Sequence, residues 1–231
     1  MSLNMVDVFK GINAAERCRL ERDCFVLEPG DGDAVFSQGD PADAVYAIIA
    51  GDGHVRIGSM NRQGKALMVE VFHLGELFGE IGVLDAGYRT ASALVEGRIK
   101  LVKLPAMIFQ AALAQYPDLG MELCRVLARR LRRTFALFQD ATFETLEVRL
   151  ARQILYLAGR EGRQTPGGLR LTHRFRQADL ADLLGATTRS IITILNAWRA
   201  AGYVAYDTDR AMLTVQDILA LQAIVEAGSE R

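Results

Sequence analysis

Cysteine and histidine are scarce in this sequence of 231 residues, with three of each. The three cysteines (Cys18, Cys24 and Cys124) are too few and too widely spaced to indicate a disulfide framework or the usual iron–sulfur cluster. Cys124 lies in an apolar helical pattern, which predicts a buried free thiol. The histidines are scattered, and we expect each to be a surface or strand residue rather than a metal ligand.

Catalytic constellations are missing as well, because no nucleophile–base pair and no carboxylate dyad stands out. An enzyme is therefore the weakest functional alternative, and we expect no catalytic residues and no metal site. The apolar runs are too short and too interrupted to span a bilayer, and no secretory leader is visible. These features favour a globular protein of the cytoplasm without a membrane partner.

The formal net charge of −1 conceals a difference between the two ends of the chain. Residues 1–118 contain 11 basic and 16 acidic residues, whereas residues 119–143 contain five basic and two acidic ones. Residues 144–231 contain 11 basic residues, all of them arginine, and ten acidic ones. The mildly basic back half is compatible with a nucleic-acid partner but does not require one.

Short β-rich runs, separated by clusters of glycine, proline and aspartate, occupy residues 24–104. Strands at this spacing predict a barrel-like or jelly-roll β domain. The expected strands are Cys24–Leu27, Val45–Ile49, His54–Ile57, Leu67–Phe72 and Ile99–Leu104.

A long amphipathic helix is predicted after the dipeptide Pro117-Asp118. Its apolar residues recur at spacings of four and three, which places them along one face. Such a stripe packs either on its own domain or on a second copy of the helix, and the pattern alone favours core packing. The stripe consists of Leu119, Leu123, Leu127, Leu131, Phe135 and Phe138.

The segment QADLADLLGATTRSIITILNAWRAAGYV, residues 177–204, has the pattern of two short helices joined by a tight turn. Gly185 is placed to end the first helix, and Thr187 is placed to cap the second. In a helix-turn-helix, the N-terminal residues of the second helix enter the DNA major groove. The residues expected to face DNA are Thr187, Thr188, Arg189, Ser190 and Thr193.

Arginines around this segment strengthen the DNA-binding interpretation. The forked guanidinium of Arg189 matches the O6 and N7 edge of guanine. Arg174 and Arg176 precede the first helix and are suited to phosphate contacts. The hairpin expected after Gly202 is placed to form a wing. The alternative is a pair of packed helices in an unrelated α domain.

The segment GELFGEIGVLDAGYRTASA, residues 75–93, concentrates glycine around one glutamate and one arginine. Glycines let backbone amides approach an anion, and an arginine can neutralise a phosphate. A carboxylate repels phosphate, so the glutamate is suited to a sugar hydroxyl instead. Gly79, Glu80 and Arg89 therefore predict a ribose-phosphate pocket, to which Thr90 and Ser92 could add hydroxyl donors. A glycine-rich turn with a surface Glu–Arg pair fits the spacing equally well.

The glycine-rich segment, the long helix and the helix-turn-helix pattern together resemble the CRP/FNR family of bacterial transcription regulators. The resemblance also includes FSQGDPADAVYAI (residues 36–48), GHVRI (residues 53–57) and ARRL (residues 128–131). It covers nearly the whole chain, and its strength comes from the combination rather than from any single motif.

This resemblance implies an α+β protein in three parts. Residues 1–118 would form a β-roll or jelly-roll effector domain of the cyclic-nucleotide-binding kind, residues 119–143 a dimerisation helix, and residues 144–231 a winged helix-turn-helix domain. The implied function is a homodimeric, sequence-specific regulator of transcription on double-stranded DNA, controlled by a small effector such as cyclic AMP or cyclic GMP. RNA polymerase is a further implied partner. The alternative is a similar DNA binder that senses another signal or acts constitutively.

The resemblance also assigns roles in the effector pocket. Glu80 would bind the ribose 2′-hydroxyl, and Arg89 would pair with the cyclic phosphate, helped by Thr90 and Gly79. Thr134 falls where the cyclic AMP-binding members use a threonine near the adenine. The apolar stripe of the long helix becomes the dimer interface, which replaces the expectation of core packing.

Departures from the family pattern affect both ends of the protein. Phe135 stands where a serine contacts adenine in the cyclic AMP receptor, so the preferred base stays open. Arg176 matches a phosphate-contacting arginine. In the second helix of the helix-turn-helix, the usual Arg-Glu pair is replaced by Thr188-Arg189 and a later arginine by Thr193, so the usual operator half-site is not expected.

Overall fold

Antiparallel sheets and helices alternate along the computed structural model, which describes residues 3–60 and 66–229. The chain divides into two compact units, Met1–Arg132 and Arg133–Arg231. The division falls inside a long helix, whereas the predicted boundaries at residues 118 and 143 lie at its two ends, so the three-part division stays a prediction. Within the described residues, no helix has both the length and the apolar character needed to cross a bilayer.

In its described residues, the first unit contains eight strands and three helices, followed by the first part of the long helix α4 (Pro117–Phe143). Two 3₁₀ turns, Leu3–Met5 and Asp7–Gly11, precede them. The helices are α1 (Ala14–Glu21), α2 (Glu80–Leu84) and α3 (Ala106–Gln115). The strands are β1 (Phe25–Leu27), β2 (Ala34–Phe36), β3 (Ala44–Gly51), β4 (His54–Met60), β5 (Ala66–Phe72), β6 (Leu77–Phe78), β7 (Ser92–Glu96) and β8 (Ile99–Pro105).

These strands form two antiparallel sheets, ordered β1-β8-β3-β6 and β2-β7-β4-β5. Alternate side chains of β3 enter different cores, as the pleat of a strand requires. Tyr46 and Ile48 pack with apolar residues of both sheets, whereas Val45 and Ala47 pack with the helices on the other face. The structure thus confirms the predicted α+β fold with a β-roll. Pattern analysis missed the short strands β2, β6 and β7.

As far as residue 229, the second unit contains the remainder of α4, four further helices and a four-stranded antiparallel sheet, ordered β11-β12-β10-β9. Its helices are α5 (Leu146–Glu161), α6 (Gln177–Leu184), α7 (Thr188–Ala200) and α8 (Ile218–Ser229). Its strands are β9 (Gly162–Thr165), β10 (Gly168–Leu171), β11 (Val204–Asp207) and β12 (Met212–Val215). The hairpin β11–β12 follows α7 where a wing was predicted.

The hairpin β9–β10 was not predicted, because residues 160–168 were interpreted as a polar connection. Pro166-Gly167 forms the two-residue connection between the strands. Gly168 has a φ of +117°, and a Cβ there would lie 2.2 Å from the Val215 carbonyl oxygen. Only glycine fits this close approach, which lets β10 pair with β12.

The cysteines are free thiols, but the predicted burial of Cys124 is wrong. Cys124 is exposed on α4, whereas its neighbour Leu123 is buried. One residue turns a helix by about 100°, so adjacent side chains face different directions. The buried thiol is Cys24 instead, and burial, with the charges of Glu21 and Asp23, raises its pKa to about 12.

Candidate functional site

The glycine-rich segment forms a tight connection from β6 into α2. Gly79 lies between them with a φ of +79°, in the left-handed region that favours glycine. A Cβ at this position would lie 2.9 Å from Nη1 of Arg89 and 3.1 Å from the ring of Phe36. Gly79 therefore serves both the turn and the close approach of the arginine.

Arg89 is directed into the first unit, and its side chain is only 1% exposed. Nη1 donates to the Gly79 carbonyl at 2.7 Å, and Nη2 donates to the Ala44 carbonyl at 2.8 Å. Nη2 also pairs with the Asp43 carboxylate at 3.1 Å. The guanidinium carbon lies 4.2 Å from the ring centroid of Phe36, a cation–π distance. The buried Nε has no hydrogen-bond partner among the described residues.

Asp43 joins Arg89 to a second cation, Lys103, whose Nζ lies 2.7 Å from the other carboxylate oxygen. Partial burial acts to raise the pKa of Asp43, but the hydrogen bond and charge of Lys103 and the charge of Arg89 outweigh it, and the pKa is lowered. Asp43 therefore stays ionised and pairs with the buried arginine from the protein surface, where its own side chain is 57% exposed.

Glu80 is also buried, and it pairs with Arg130 of α4 rather than with Arg89. Nη1 of Arg130 lies 2.7 Å from Oε1 of Glu80, and Nη2 donates to the Leu77 carbonyl at 2.5 Å. The same guanidinium lies 4.6 Å from the ring centroid of Phe72. The alternative of a surface Glu–Arg pair is thus wrong in both burial and partner.

Sequence reasoning missed Arg130, although it quoted the residue in the ARRL motif. The only available signal was its place on the long helix away from the apolar stripe. Thr90 is exposed beside Arg89, and Thr134 is exposed in the second unit. The roles of both threonines toward an effector stay predictions.

The surroundings of the apolar stripe differ along α4, from buried at the N-terminal end to exposed further along the helix. Leu119 and Leu123 are 0% and 3% exposed, in the core that the helices form with one sheet. The prediction that these two leucines face a second copy is therefore wrong, because their own domain already covers them. Leu127 is partly buried against the same core. The remaining members are exposed, namely Leu131, Phe135 and Phe138.

The predicted helix-turn-helix is formed by α6 and α7. Gly185 adopts a φ of +61° at the end of α6, and the Thr187 side chain caps α7 by accepting from the Ser190 amide at 3.2 Å. The buried face of α7 includes Ile191 and Trp198. The side chains of Thr187, Thr188, Arg189 and Thr193 are exposed, and Ser190 is half-buried.

Arg176 lies at the N-terminus of α6 and holds Asp179 of the first turn. Its Nε and Nη2 lie 3.1 and 3.0 Å from the two carboxylate oxygens. The arginine side chain is 64% exposed and the aspartate side chain 6% exposed. The pair therefore anchors the helix end while leaving much of the guanidinium at the surface. Arg174 is also exposed.

Two domain families match this chain. Residues 27–116 match the cyclic nucleotide-binding domain, and residues 148–224 match the Crp-like helix-turn-helix domain. The fold and the two matches define a transcription regulator with a cyclic nucleotide-binding domain and a DNA-binding helix-turn-helix domain.

Relatives that align over most of this chain identify its family. The chain is 31% identical over 216 residues to the CRP-like cAMP-activated global transcriptional regulator of Mycobacterium tuberculosis, covering 94% of this chain and 96% of that protein. It is 31% identical over 173 residues to the cyclic AMP receptor protein of Thermus thermophilus, covering 75% and 76%. The chain belongs to the CRP/FNR family, whose members are transcription regulators rather than enzymes.

Solved structures agree on the fold. The c-di-GMP responsive regulator CLP of Xanthomonas campestris matches with a TM-score of 0.76 at 20% identity, covering 88% of this chain and 99% of that one. A CooA mutant from Carboxydothermus hydrogenoformans matches with a TM-score of 0.77 at 16% identity, covering 96% and 98%.

Replacing Gly79 by alanine tests the geometry of the segment. Gly79→Ala should destabilise the protein by about 1–2 kcal/mol, because alanine is strained in the left-handed region and its methyl group meets Arg89. Gly120→Ala is the matched control in the first unit, since open space surrounds that helical glycine. It should stabilise α4 by about 0.5–1 kcal/mol. Thermal unfolding of both variants gives the comparison, and equal stability of Gly79→Ala and wild type would contradict the geometry.

Proposed function

We propose that the effector is a cyclic nucleotide, that the protein acts as a homodimer, and that effector binding controls its affinity for a specific DNA sequence. Cyclic AMP is the first candidate, because the relative from M. tuberculosis is a cAMP-activated regulator and the relative from T. thermophilus is a cyclic AMP receptor protein. Cyclic GMP is the second candidate. A bacterial regulator of this kind acts in the cytoplasm, where the chromosome lies.

The buried Nε of Arg89 carries the effector proposal. A buried N–H group without an acceptor costs free energy, and an anionic ligand can supply the missing acceptor. A cyclic phosphate is such a ligand, because its free oxygens accept hydrogen bonds from an arginine. The neighbouring Gly79 lets the guanidinium approach the backbone closely, because a Cβ there would lie 2.9 Å from Nη1.

Glu80 is the residue suited to bind the sugar of the proposed effector. The family resemblance assigns it to the ribose 2′-hydroxyl, and a carboxylate is a strong acceptor for such a donor. Arg130 fixes the position of this carboxylate from α4. A ligand that bonds to Glu80 therefore acts next to a residue of the long helix, which offers a route from pocket to helix.

A second candidate function is regulation without any cyclic nucleotide, and Asp43 favours it. The Asp43 carboxylate already occupies the position of an anion beside Arg89. Two carbonyls satisfy further donors of the same guanidinium. In this alternative the segment is a scaffold, and another signal or none controls DNA binding.

Isothermal titration with cyclic AMP and with cyclic GMP separates the two functions. We expect wild type to bind one nucleotide, and Arg89→Ala to lose at least about tenfold in affinity, since charge-assisted hydrogen bonds contribute roughly 1.5–3 kcal/mol. Arg98→Ala is the matched control, because Arg98 is 92% exposed at the surface of the same unit. It should bind like wild type.

Because Arg89 is buried, its variant also needs a check of folding. Thermal unfolding of Arg89→Ala should show a lower but cooperative transition, since the change removes three internal contacts. Binding of neither nucleotide by wild type would contradict the effector proposal and favour the scaffold alternative.

The exposed stripe residues support the homodimer. Leu131, Phe135 and Phe138 are 57%, 60% and 70% exposed along one helix. Large apolar side chains grouped in this way mark an interaction surface. A two-fold axis brings the same face of the helix together from both subunits. The exposed apolar stripe of one copy can therefore be covered by the stripe of the other copy.

Charge placed on the stripe should break the dimer. The double change Phe135→Glu and Phe138→Glu buries like charges on both copies, and we expect the dimer dissociation constant to rise by about a hundredfold or more. Sedimentation velocity measures the change. Met107→Glu is the control, because Met107 is 81% exposed on α3, outside the stripe. A monomeric wild type, or a dimeric double variant, would contradict the proposal.

Two arginines near the helix-turn-helix should affect DNA binding differently. Arg189→Ala should relax the preference at one base pair by about 1–3 kcal/mol, because it removes a base-edge contact. Arg176→Ala should weaken binding to specific and random DNA equally, since a phosphate contact carries no base information. Fluorescence anisotropy on both kinds of DNA gives the comparison. Equal losses for Arg189→Ala would make that residue a phosphate contact.

A further inference from the structure

The hydroxyl groups at the start of α7 are already hydrogen-bonded within the helix. The Thr187 and Ser190 hydroxyl oxygens lie 2.8 Å apart, and Thr187 also caps the Ser190 amide. The Thr193 hydroxyl donates to the Arg189 carbonyl at 3.0 Å. A hydroxyl has only one proton to donate. The family resemblance places Thr193 at a DNA-facing position without defining what it contacts there.

Arg189 and Thr193 are four residues apart on α7, so their exposed side chains share one face of the helix. The Arg189 guanidinium has no hydrogen-bond or ion-pair partner within the part of the chain that the structure describes. It keeps its full set of donors for a ligand. Thr193 differs, because its only donor is committed to the helix backbone.

A threonine in this state cannot donate to guanine O6 or N7, or to thymine O4. The hydrogen bond holds its oxygen against the preceding turn of the helix. The oxygen keeps only an acceptor role there, and the γ-methyl group is the one heavy atom beyond Cβ of this exposed side chain that is not hydrogen-bonded to the helix. In the major groove, the matching apolar feature is the 5-methyl group of thymine.

We infer that Thr193 reads a thymine through contact between its γ-methyl group and the thymine 5-methyl group. The inference rests on the proposed sequence-specific DNA binding. Thr193 would then determine specificity by apolar contact with a base, whereas the neighbouring Arg189 would do so by hydrogen bonds. A half-site selected by this protein should therefore contain a thymine whose methyl group contributes to affinity.

Deoxyuridine tests the inference, because it lacks only the 5-methyl group of thymine. The binding site is first selected from random duplexes with the full-length protein, with cyclic AMP, with cyclic GMP and without either. Each thymine of one half-site is then replaced in turn by deoxyuridine, and affinity is measured by fluorescence anisotropy at fixed salt. We expect one position at which wild type loses about fourfold in affinity, which corresponds to one buried methyl group.

Two conservative variants separate the methyl group from the hydroxyl. Thr193→Val keeps the γ-methyl group and removes the hydroxyl, so it should keep the deoxyuridine penalty at that position. Thr193→Ser keeps the hydroxyl and removes the methyl group, so it should bind both duplexes equally and bind the thymine duplex about fourfold more weakly than wild type. Thr193 is exposed, and thermal unfolding should show both variants close to wild type.

Several outcomes would overturn the inference. A selected site without a deoxyuridine penalty at any thymine contradicts it and leaves the DNA-binding function intact. A penalty that persists in Thr193→Ser contradicts it as well. A penalty that disappears in Thr193→Val would assign the recognition to the hydroxyl oxygen. If wild type selects no sequence under any condition, the proposed DNA-binding function itself fails, and this inference fails with it.

Discussion

The burial of one guanidinium organises the effector domain. Arg89 carries a full charge into the protein, and such a charge is tolerated only where its donors find acceptors. The Gly79 and Ala44 carbonyls and the Asp43 carboxylate meet this need, and they come from two separate parts of the chain, residues 43–44 and residue 79. The same requirement explains why residue 79 is a glycine, since any side chain there would collide with the arginine. Nε has no partner among the described residues, and the proposed effector would supply one.

Arg89 and Arg130 of the first unit differ in their surroundings from Arg189 of the second unit. In the first unit, Arg89 and Arg130 are fixed by internal partners, so a ligand has to act on an existing network. In the second unit, Arg189 is exposed, as the proposed contact with DNA requires. If an effector controls DNA binding, its contacts must differ between two states of the protein, because equal contacts shift no equilibrium. The Glu80–Arg130 pair is placed for such a difference, since a bound sugar competes for the same carboxylate.

Most of the confirmed predictions rest on sequence patterns that span only a few residues. The β-roll and the helix-turn-helix followed from strand spacing, from Gly185 and from the Thr187 cap, which act over a few residues. Arg130 was missed because it lies 50 residues from Glu80, and no spacing rule connects them. The family resemblance assigned Leu119 and Leu123 to the dimer with the rest of the stripe, since periodicity gives the face of a helix but not what covers it. The hairpin β9–β10 was missed because its strands are short and polar, and only packing against β12 reveals them.

The proposal that an effector controls DNA binding is tested most directly by thermodynamic linkage between the nucleotide site and the DNA site. The affinity for the selected DNA is measured with and without saturating cyclic nucleotide, and the affinity for the nucleotide is measured with and without that DNA. Regulation by an effector predicts the same factor in both experiments, between about 5 and 150, because coupling is reciprocal. If the protein binds the nucleotide and the DNA but neither changes the affinity for the other, the account is contradicted.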